Sequence, residues 1–359
     1  MEFSKEDEPI LGRRFNDDGK ASLIPGKSQK KSIEQLNNKI RDGKYKFESI
    51  NCIICNSNNF QLLSKKEKFG LLHSVVICKK CGLVQTNPRM SEESYKKFYD
   101  TEYRASGMAK SLSKDKFFLK QKKRGWRIHN YLEKILEEKI ENKFVVEIGT
   151  GAGGILQYFK NKNNKVLGLD LGSEYIEYGK KQGLNLKVGT IEILKTLERK
   201  PDIVIYSHVL EHITNPIEDL KNLREYLKPE SIVYIEVPGI KFLTLSYNQD
   251  FLEYLNFSHT YHFTLTSLNN CLKKSGFKMI NGNEVVIALF QPNDHENSFE
   301  NTYESTMNFL QKLEKDYLTK FSCRKIKFKT IQLVTKILNI TNTREPIELL
   351  YYKIKTQKY

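Results

Sequence analysis

Blocks of apolar and polar residues predict an α/β fold in the middle of the chain. The run Phe144-Val-Val-Glu-Ile148 is apolar and β-branched apart from Glu147, which is typical of a buried strand. Three glycines follow, and a helical pattern over residues 155–159 begins directly after them. A second apolar run starts at Val166 and ends at Asp170. A strand, a glycine turn, a helix, a strand and an acid in this order predict a site for a nucleoside-containing cofactor.

The residues of this turn indicate the kind of cofactor. Gly149, Gly151 and Gly153 allow a tight turn in which the backbone can approach a ligand closely. Asp170 lies seventeen residues past Gly153 and is placed to accept hydrogen bonds from two ribose hydroxyls. Glu147 at the end of the strand suits a cationic amino-acid group and would repel a pyrophosphate. The pattern therefore favours a cofactor with an amino-acid end over a dinucleotide.

The turn also resembles motif I of class I S-adenosylmethionine-dependent methyltransferases. The resemblance continues in residues 201–216, 231–239, 257–264 and 275–277, so that it covers about residues 140 to 290. The glycine turn alone is weak evidence, whereas four motifs in the right order are specific. The alternative is an α/β domain with a degenerate or empty cofactor site. The residues that the resemblance places around S-adenosylmethionine are Glu147, Gly149, Thr150, Gly151, Gly153, Asp170, Leu171, Thr190, Ile191 and His208.

Two cysteine pairs predict a metal site before this domain. Cys52 and Cys55 form the first pair, and Cys78 and Cys81 form the second, with 22 residues between the pairs. Each pair can place two thiolates on one side of a tight turn, so that four thiolates complete a tetrahedral zinc site. Because no ligand position stays open, we expect the zinc to be structural. Disulfides are the alternative, which a reducing cytoplasm disfavours.

Composition and charge restrict the functional class only modestly. The chain has 359 residues, 39% of them hydrophobic, and a net charge of +16. No apolar run approaches the roughly 20 residues of a membrane span, and the start lacks a signal-peptide core, so we expect a cytoplasmic protein. Residues 104–127 hold nine basic residues and one acid, and residues 321–336 hold five basic residues and none. Such stripes suit phosphates, an anionic lipid surface or nucleic acid, or are ordinary solvated faces.

Histidines cluster in the two loops in which a methyl acceptor would be handled. Four of the seven histidines follow the fourth and fifth predicted strands of the domain. They are His208, His212, His259 and His262. Histidine can remove a proton at neutral pH, and such a step is needed when the acceptor is a hydroxyl or a carbon acid. Each ring could also serve packing alone, and this applies to His208 most of all.

The same features resemble bacterial sugar methyltransferases that carry an amino-terminal four-cysteine zinc module, from deoxysugar and surface-polysaccharide pathways. By motif, the resemblance assigns substrate binding and proton transfer to His212 and His259, and we expect Tyr261 to orient the substrate. Those enzymes have an acid in place of Ser258 and a larger carboxy-terminal domain. The resemblance therefore supports the assignment of the cofactor better than that of the substrate. The resemblance implies methylation of a sugar, nucleotide-sugar or glycan at oxygen or carbon. The acceptor is expected to be anionic, and peripheral membrane contact is compatible with the basic stripes.

Two other functional classes stay open. An RNA methyltransferase would explain a zinc ribbon and a basic stripe. The fourth-strand motif Ser207-His-Val-Leu-Glu211, however, lacks the signatures of base methylation and instead resembles small-molecule methyltransferases, including quinone ones. Nucleic acid is therefore the less favoured partner. A non-catalytic binding module is the third class, and the retained Glu147, glycines, Asp170 and histidines argue against it.

The predicted fold is α/β, a Rossmann-like seven-stranded class I methyltransferase domain with an amino-terminal zinc ribbon and a carboxy-terminal helical tail. Its last two strands are expected as a reversed hairpin over residues 277–280 and 285–289. The predicted units are a mostly disordered segment at 1–47 with a short helix near 33–40, a zinc ribbon at 48–90, a helical connector at 91–140, the cofactor-binding domain at 141–292 and a basic helical segment at 293–359.

Overall fold

The computed structural model describes residues 7–103 and 113–319. The basic stripe at 321–336 lies outside these residues, as does part of the stripe at 104–127. Before the central domain, the strands and helices are α1 (Lys27–Arg41), β1 (Phe47–Glu48), β2 (Phe60–Lys66), β3 (Leu72–Cys78), β4 (Val84–Thr86), β5 (Arg89–Met90), α2 (Glu92–Phe98) and α3 (Lys114–Leu136). Within the described residues, no helix is both long enough and apolar enough to cross a membrane.

A seven-stranded sheet forms the central domain. Its elements are β6 (Phe144–Ile148), α4 (Gly154–Lys160), β7 (Lys165–Asp170), α5 (Ser173–Lys181), β8 (Leu186–Val188), β9 (Ile203–Ser207), α6 (Pro216–Glu225), β10 (Ile232–Glu236), α7 (Phe251–Tyr254), β11 (Tyr261–His262), α8 (Leu265–Lys274), β12 (Phe277–Asn283) and β13 (Ile287–Pro292), followed by α9 (Tyr303–Thr319). The strand order is β12-β13-β10-β9-β6-β7-β8. Only β11 lies outside this sheet, and the parallel-dominated, Rossmann-like arrangement confirms the predicted fold class.

The end of this sheet differs in detail from the predicted reversed hairpin. Only β13 runs antiparallel to the sheet, between β10 and β12. The second strand begins at Ile287 rather than at Val285, because Val286 adopts a left-handed backbone with φ 63°. Val285 donates its backbone N–H to the Asn283 side chain, 3.0 Å away, so both residues belong to the turn.

The described part of the amino-terminal segment is ordered, and the prediction of disorder for residues 1–47 is wrong there. Phe15 is fully buried in a core that also contains Phe251 and Leu310. Arg14 donates to Asp250 at 2.5 Å and to Glu314 at 2.6 Å. Polar composition alone suggested disorder, but contacts more than 200 residues away in sequence supply the burial that orders this segment.

The ribbon and the central domain share a sheet. Strands β2, β3 and β4 form an antiparallel sheet whose fourth strand is β11, in the order β11-β4-β3-β2. Tyr261 pairs with Gln85, and His262 pairs with Val84. The segment that the sequence assigns to the acceptor is therefore an edge strand of the ribbon sheet.

Candidate active site and metal centre

The glycine turn closes on the end of β7. Gly149, Gly151 and Gly153 all have left-handed φ angles, at 68°, 54° and 79°. The Gly151 backbone N–H donates to Asp170 Oδ2 at 2.8 Å, and the Gly172 N–H donates to Asp170 Oδ1 at 2.7 Å. The three predicted glycines and the predicted acid therefore meet in one place, at the carboxyl edge of the sheet.

Helix α3 covers the glycine turn. Gln121 donates its Nε2 to the Thr150 carbonyl at 2.9 Å, and its Oε1 accepts from the Gly154 N–H at 3.3 Å. A Cβ on Gly151 would stand 2.9 Å from the Phe117 ring. Sequence analysis missed Gln121 and Phe117 because they lie on a helix that it treated as a connector.

Glu147 is buried beneath the turn. Its Oε2 accepts a hydrogen bond from Thr150 Oγ1 at 2.8 Å. Burial raises the pKa of Glu147 to about 8, against a lowering effect of the Thr150 bond and of Arg124. A buried carboxyl of this kind ionises readily only beside a cation. Its chemistry therefore fits the ammonium of an amino-acid group.

The other residues assigned to the cofactor lie around the ends of β7 and β8. Leu171 is 59% exposed directly after Asp170. Thr190 precedes a 3-10 helix over Ile191–Thr196, and Ile191 is buried in the core. An exposed apolar side chain beside the acid predicted to bind the ribose, and a backbone turn open to close approach, fit a nucleoside. The residues present therefore fit S-adenosylmethionine.

His208 bridges the ends of β9 and β10. Its backbone is left-handed, with φ 58°. Its Nδ1 lies 3.4 Å from Glu211 Oε1, and its Nε2 lies 3.7 Å from Glu236 Oε1. Burial lowers the pKa of His208, but the two carboxylates outweigh burial and raise it. The ring is therefore held between two acids, which the sequence did not predict.

Glu236 is a further site residue that sequence analysis missed. Burial would raise its pKa, but His208 and the guanidinium groups of Arg124 and Arg127 lower it to about 2. Both guanidinium groups lie 3.9 Å from the Glu236 carboxylate. Glu236 ends the fifth strand of the domain, at the same edge of the sheet as the glycine turn. Nothing in the sequence indicated Arg124 and Arg127 of α3 as partners of Glu236, apart from their place in the basic stripe.

Two buried side chains, Glu211 and His259, and the half-buried His212 form what we call the acceptor-side group. One ligand-type atom from each lies within 4.8 Å of the others. The rings of His212 and His259 are 4.8 Å apart, centroid to centroid. Burial lowers the pKa of both histidines. The structure therefore brings together the two predicted histidines from different loops and adds Glu211, which the sequence offered only as a neighbour of His212.

Tyr261 makes its side-chain hydrogen bonds to residues outside this group. Its hydroxyl donates to the Thr214 carbonyl at 2.8 Å and accepts from Arg89 at 2.9 Å. Arg89 also donates to the Thr214 carbonyl. The side chain is fully buried and its hydroxyl bonds to protein groups. Orientation of a substrate by Tyr261 stays a prediction, while its anchoring of the segment is observed.

Hydrogen bonds from β4 of the ribbon hold the segment that contains His259 and Thr260. Thr86 Oγ1 donates to the His259 carbonyl at 2.9 Å, and the Thr86 backbone N–H donates to the Thr260 carbonyl at 2.9 Å. Thr260 in turn donates its N–H to the Glu211 carbonyl at 2.8 Å. Thr86 of β4 therefore holds the backbone of His259 directly and that of Glu211 through Thr260.

The four predicted cysteines converge on one point. Cys52 Sγ and Cys81 Sγ are 3.4 Å apart, as are Cys55 Sγ and Cys78 Sγ. All four sulfur atoms lie within 4.8 Å of one another, and none is in a disulfide. In a tetrahedral site with Zn–S bonds of about 2.3 Å, the sulfur atoms are about 3.8 Å apart. The donor set therefore fits a structural zinc ion.

Comparison with known proteins identifies the domain. Residues 119–281 match the family model described as a methyltransferase domain. No curated protein matches the chain.

Three solved structures illustrate the fold likeness. The plantazolicin methyltransferase BpumL in complex with SAH is 17% identical, with 56% of this chain and 93% of that chain covered and a TM-score of 0.41. The magnesium protoporphyrin IX methyltransferase ChlM from Synechocystis PCC 6803 is 13% identical, with 48% and 83% covered and a TM-score of 0.37. CalS10 from Micromonospora echinaspora, an amino pentose methyltransferase, is 15% identical, with 33% and 50% covered and a TM-score of 0.28.

These likenesses concern the fold alone. The family match and the glycine turn with Glu147 and Asp170 agree on the cofactor. The chain therefore contains a methyltransferase domain that includes residues 119–281, which agrees with the predicted S-adenosylmethionine-dependent enzyme class.

Proposed function

We propose that the protein methylates a sugar, a nucleotide-sugar or a glycan at oxygen or carbon, in a bacterial biosynthetic pathway of the surface-polysaccharide kind. The observation that carries this proposal is the acceptor-side group. Glu211, His212 and His259 are buried or nearly so and lie beyond the ends of β9 and β10, where acceptors bind in open α/β sheets. An acceptor that arrives with its proton, such as a hydroxyl, needs a group of this kind.

S-adenosylmethionine supplies an electrophilic methyl group on a sulfonium. The chain's own residues then align the acceptor and deal with its proton. We assign the proton step to the acceptor-side group, with His259 as the residue nearest the acceptor and His212 in support. The neutral rings favoured by burial are suited to accept a proton.

The described part of the basic stripe favours a small acceptor over RNA. Arg124 and Arg127 face the buried Glu236, and Lys116 is itself 4% exposed. Lys114 pairs with Glu174. Part of this positive charge is therefore paired with acids of the protein, which leaves less of it for a nucleic-acid backbone. We further propose that the four cysteines bind structural zinc and that the protein acts in the cytoplasm, where these thiols stay reduced.

Transfer of a labelled methyl group from S-adenosylmethionine tests the proposal. The full-length protein would be incubated with a panel of nucleotide sugars, and in parallel with total RNA. We expect label in at least one nucleotide sugar and none in RNA, and at limiting S-adenosylmethionine the label should be reduced with Asp170→Ala. Labelled RNA with unlabelled sugars would contradict the proposed substrate class while leaving the methyltransferase activity in place.

A further inference from the structure

Glu211 is the least satisfied charged side chain near the site. It is 1% exposed, and neither of its carboxylate oxygens accepts a hydrogen bond from the described residues. Its closest cationic candidates are His208, at 3.4 Å, and His212, at 3.8 Å, both outside hydrogen-bonding geometry. Burying a carboxylate in this way is costly unless a positive charge or a donor compensates it.

The orientation of His212 sharpens this problem. Its Nδ1 lies 2.8 Å from the Ser258 carbonyl oxygen, which can only accept a hydrogen bond. Nδ1 therefore carries the proton, and in the neutral ring Nε2 is the nitrogen that has a lone pair. That Nε2 lies 3.8 Å from Glu211 Oε1. A cation bound by both atoms would compensate the buried carboxylate.

The donor set and the support around it match a metal site. A carboxylate and two imidazoles leave coordination positions open, as in catalytic zinc sites with two histidines and one glutamate. The Nδ1–H bond of His212 to a backbone carbonyl is the outer-shell contact that fixes a metal-binding ring. Donor atoms bound to an ion at about 2.0–2.2 Å stand roughly 3.4 Å apart. The donor atoms here lie within 4.8 Å of one another, so side-chain rotations that move them by about 1 Å would bring them to that spacing.

We infer that Glu211, His212 and His259 bind a divalent transition-metal ion of the zinc type, separate from the four-cysteine site. Imidazole ligands favour such an ion over magnesium or calcium. The ion would hold an oxygen of the methyl acceptor in an open coordination position and make its hydroxyl more acidic, the proton leaving to solvent water. That the ion meets the acceptor rests on the proposed function, whereas the binding of the ion does not. With the ion bound, the group would act on the acceptor proton as ligands of the ion, in place of accepting that proton on an imidazole ring.

Metal content of the full-length protein tests this inference. After incubation with zinc and removal of loosely bound metal, wild type should hold about two ions per chain, and Glu211→Gln or His212→Ala should hold about one, the ion of the four-cysteine site. His262→Gln is the matched control, since His262 is a buried histidine on the same segment outside the set of three. It should hold as many ions as wild type. Unchanged affinity for S-adenosylmethionine verifies that each variant is folded.

Cobalt(II) added to wild type that carries zinc at the four-cysteine site alone gives a second measurement that needs no variant. A saturable visible absorption without a thiolate charge-transfer band is expected, since the ligands are nitrogen and oxygen. One ion per chain in wild type, together with no saturable cobalt band, would overturn the inference. Label transfer to a nucleotide sugar by that same preparation would show that the proposed function survives without the ion.

Discussion

The imidazole rings of His212 and His259 stand edge to face, with centroids 4.8 Å apart and planes inclined by 78°. His212 comes from the loop after β9, and His259 comes from the segment that leads into β11. The two rings are held by different contacts, since the His212 ring bonds to the Ser258 carbonyl and the His259 ring to the Asn256 side chain. The His259 backbone carbonyl accepts a hydrogen bond from Thr86. Two loops and the ribbon sheet must therefore be in place before the pair exists.

Removing either ring should slow methyl transfer. Loss of a group that handles the acceptor proton typically lowers the rate by about 10²–10⁴-fold. We expect His259→Ala and His212→Ala to fall in this range when turnover is measured on the true acceptor, with S-adenosylmethionine affinity unchanged. His295→Ala, in an exposed position after β13, is the control. Wild-type turnover in both test variants would show that the histidines are structural and that the acceptor is an amine that arrives deprotonated.

Asp170→Ala should weaken cofactor binding. The carboxylate is expected to accept ribose hydroxyls, and a hydrogen bond to a charged group contributes about 1.5–3 kcal/mol. The variant also loses the acceptors of the Gly151 and Gly172 N–H groups, so Asp170→Asn should lie between it and wild type. Calorimetric titration measures the effect, with the exposed Asp294→Ala as the control. An affinity equal to that of wild type would remove the ribose role of Asp170.

The buried Glu147 carboxyl should make stability fall with rising pH. Its folded-state pKa is raised to about 8, above the ordinary value of 4.5 in the unfolded chain. The folded protein therefore retains a proton that the unfolded chain releases. The stability from this group is fully present below pH 4.5 and is lost as the pH rises through about 8. Denaturant unfolding of cofactor-free wild type and Glu147→Gln should show a shallower decline in the variant.

The same group should release a proton when the cofactor binds. An ammonium beside Glu147 would favour its ionised form. Titration calorimetry near pH 7 in buffers of different ionisation enthalpy should reveal this release in wild type and less of it in Glu147→Gln. Equal release in both proteins would place the cofactor's ammonium elsewhere.

Zinc removal should affect the acceptor side as well as the ribbon. Freshly purified protein should carry zinc on Cys52, Cys55, Cys78 and Cys81, and strong chelation should unfold the ribbon while the cofactor fold stays intact. Because β11 is a strand of the ribbon sheet, we expect faster amide exchange in residues 256–263 too. Exchange measured by mass spectrometry with and without chelator checks this. Four free thiols and no zinc in fresh protein would contradict the assignment.

Tyr261→Phe separates anchoring from substrate orientation. The variant removes the buried hydroxyl that bonds to both Arg89 and the Thr214 carbonyl, while the direct bond from Arg89 to that carbonyl remains. A lost hydrogen bond typically costs about 0.5–1.5 kcal/mol, which urea unfolding should show as a lower free energy of unfolding. We expect turnover per folded molecule to change little. A large fall in turnover with unchanged stability would instead support the predicted contact with substrate.

The sequence by itself determined the parts of this protein that depend on local spacing. The order of Glu147, the three glycines and Asp170 is enough to predict that these residues meet, because a strand, a tight turn and a helix bring them to the same edge of the sheet. The two cysteine pairs likewise converge because each pair lies in its own short turn. Neither inference needed a long-range contact to be known in advance.

Tertiary structure decided what depends on contacts between distant segments. Arg14 meets Asp250 and Glu314 across 236 and 300 residues, and this orders a segment whose polar composition had predicted disorder. The pairing of β11 with β4 and the burial of Glu211 between two histidines also arise only when separate elements pack. Side-chain pattern reports which face of an element is apolar, but it does not specify which distant element covers that face.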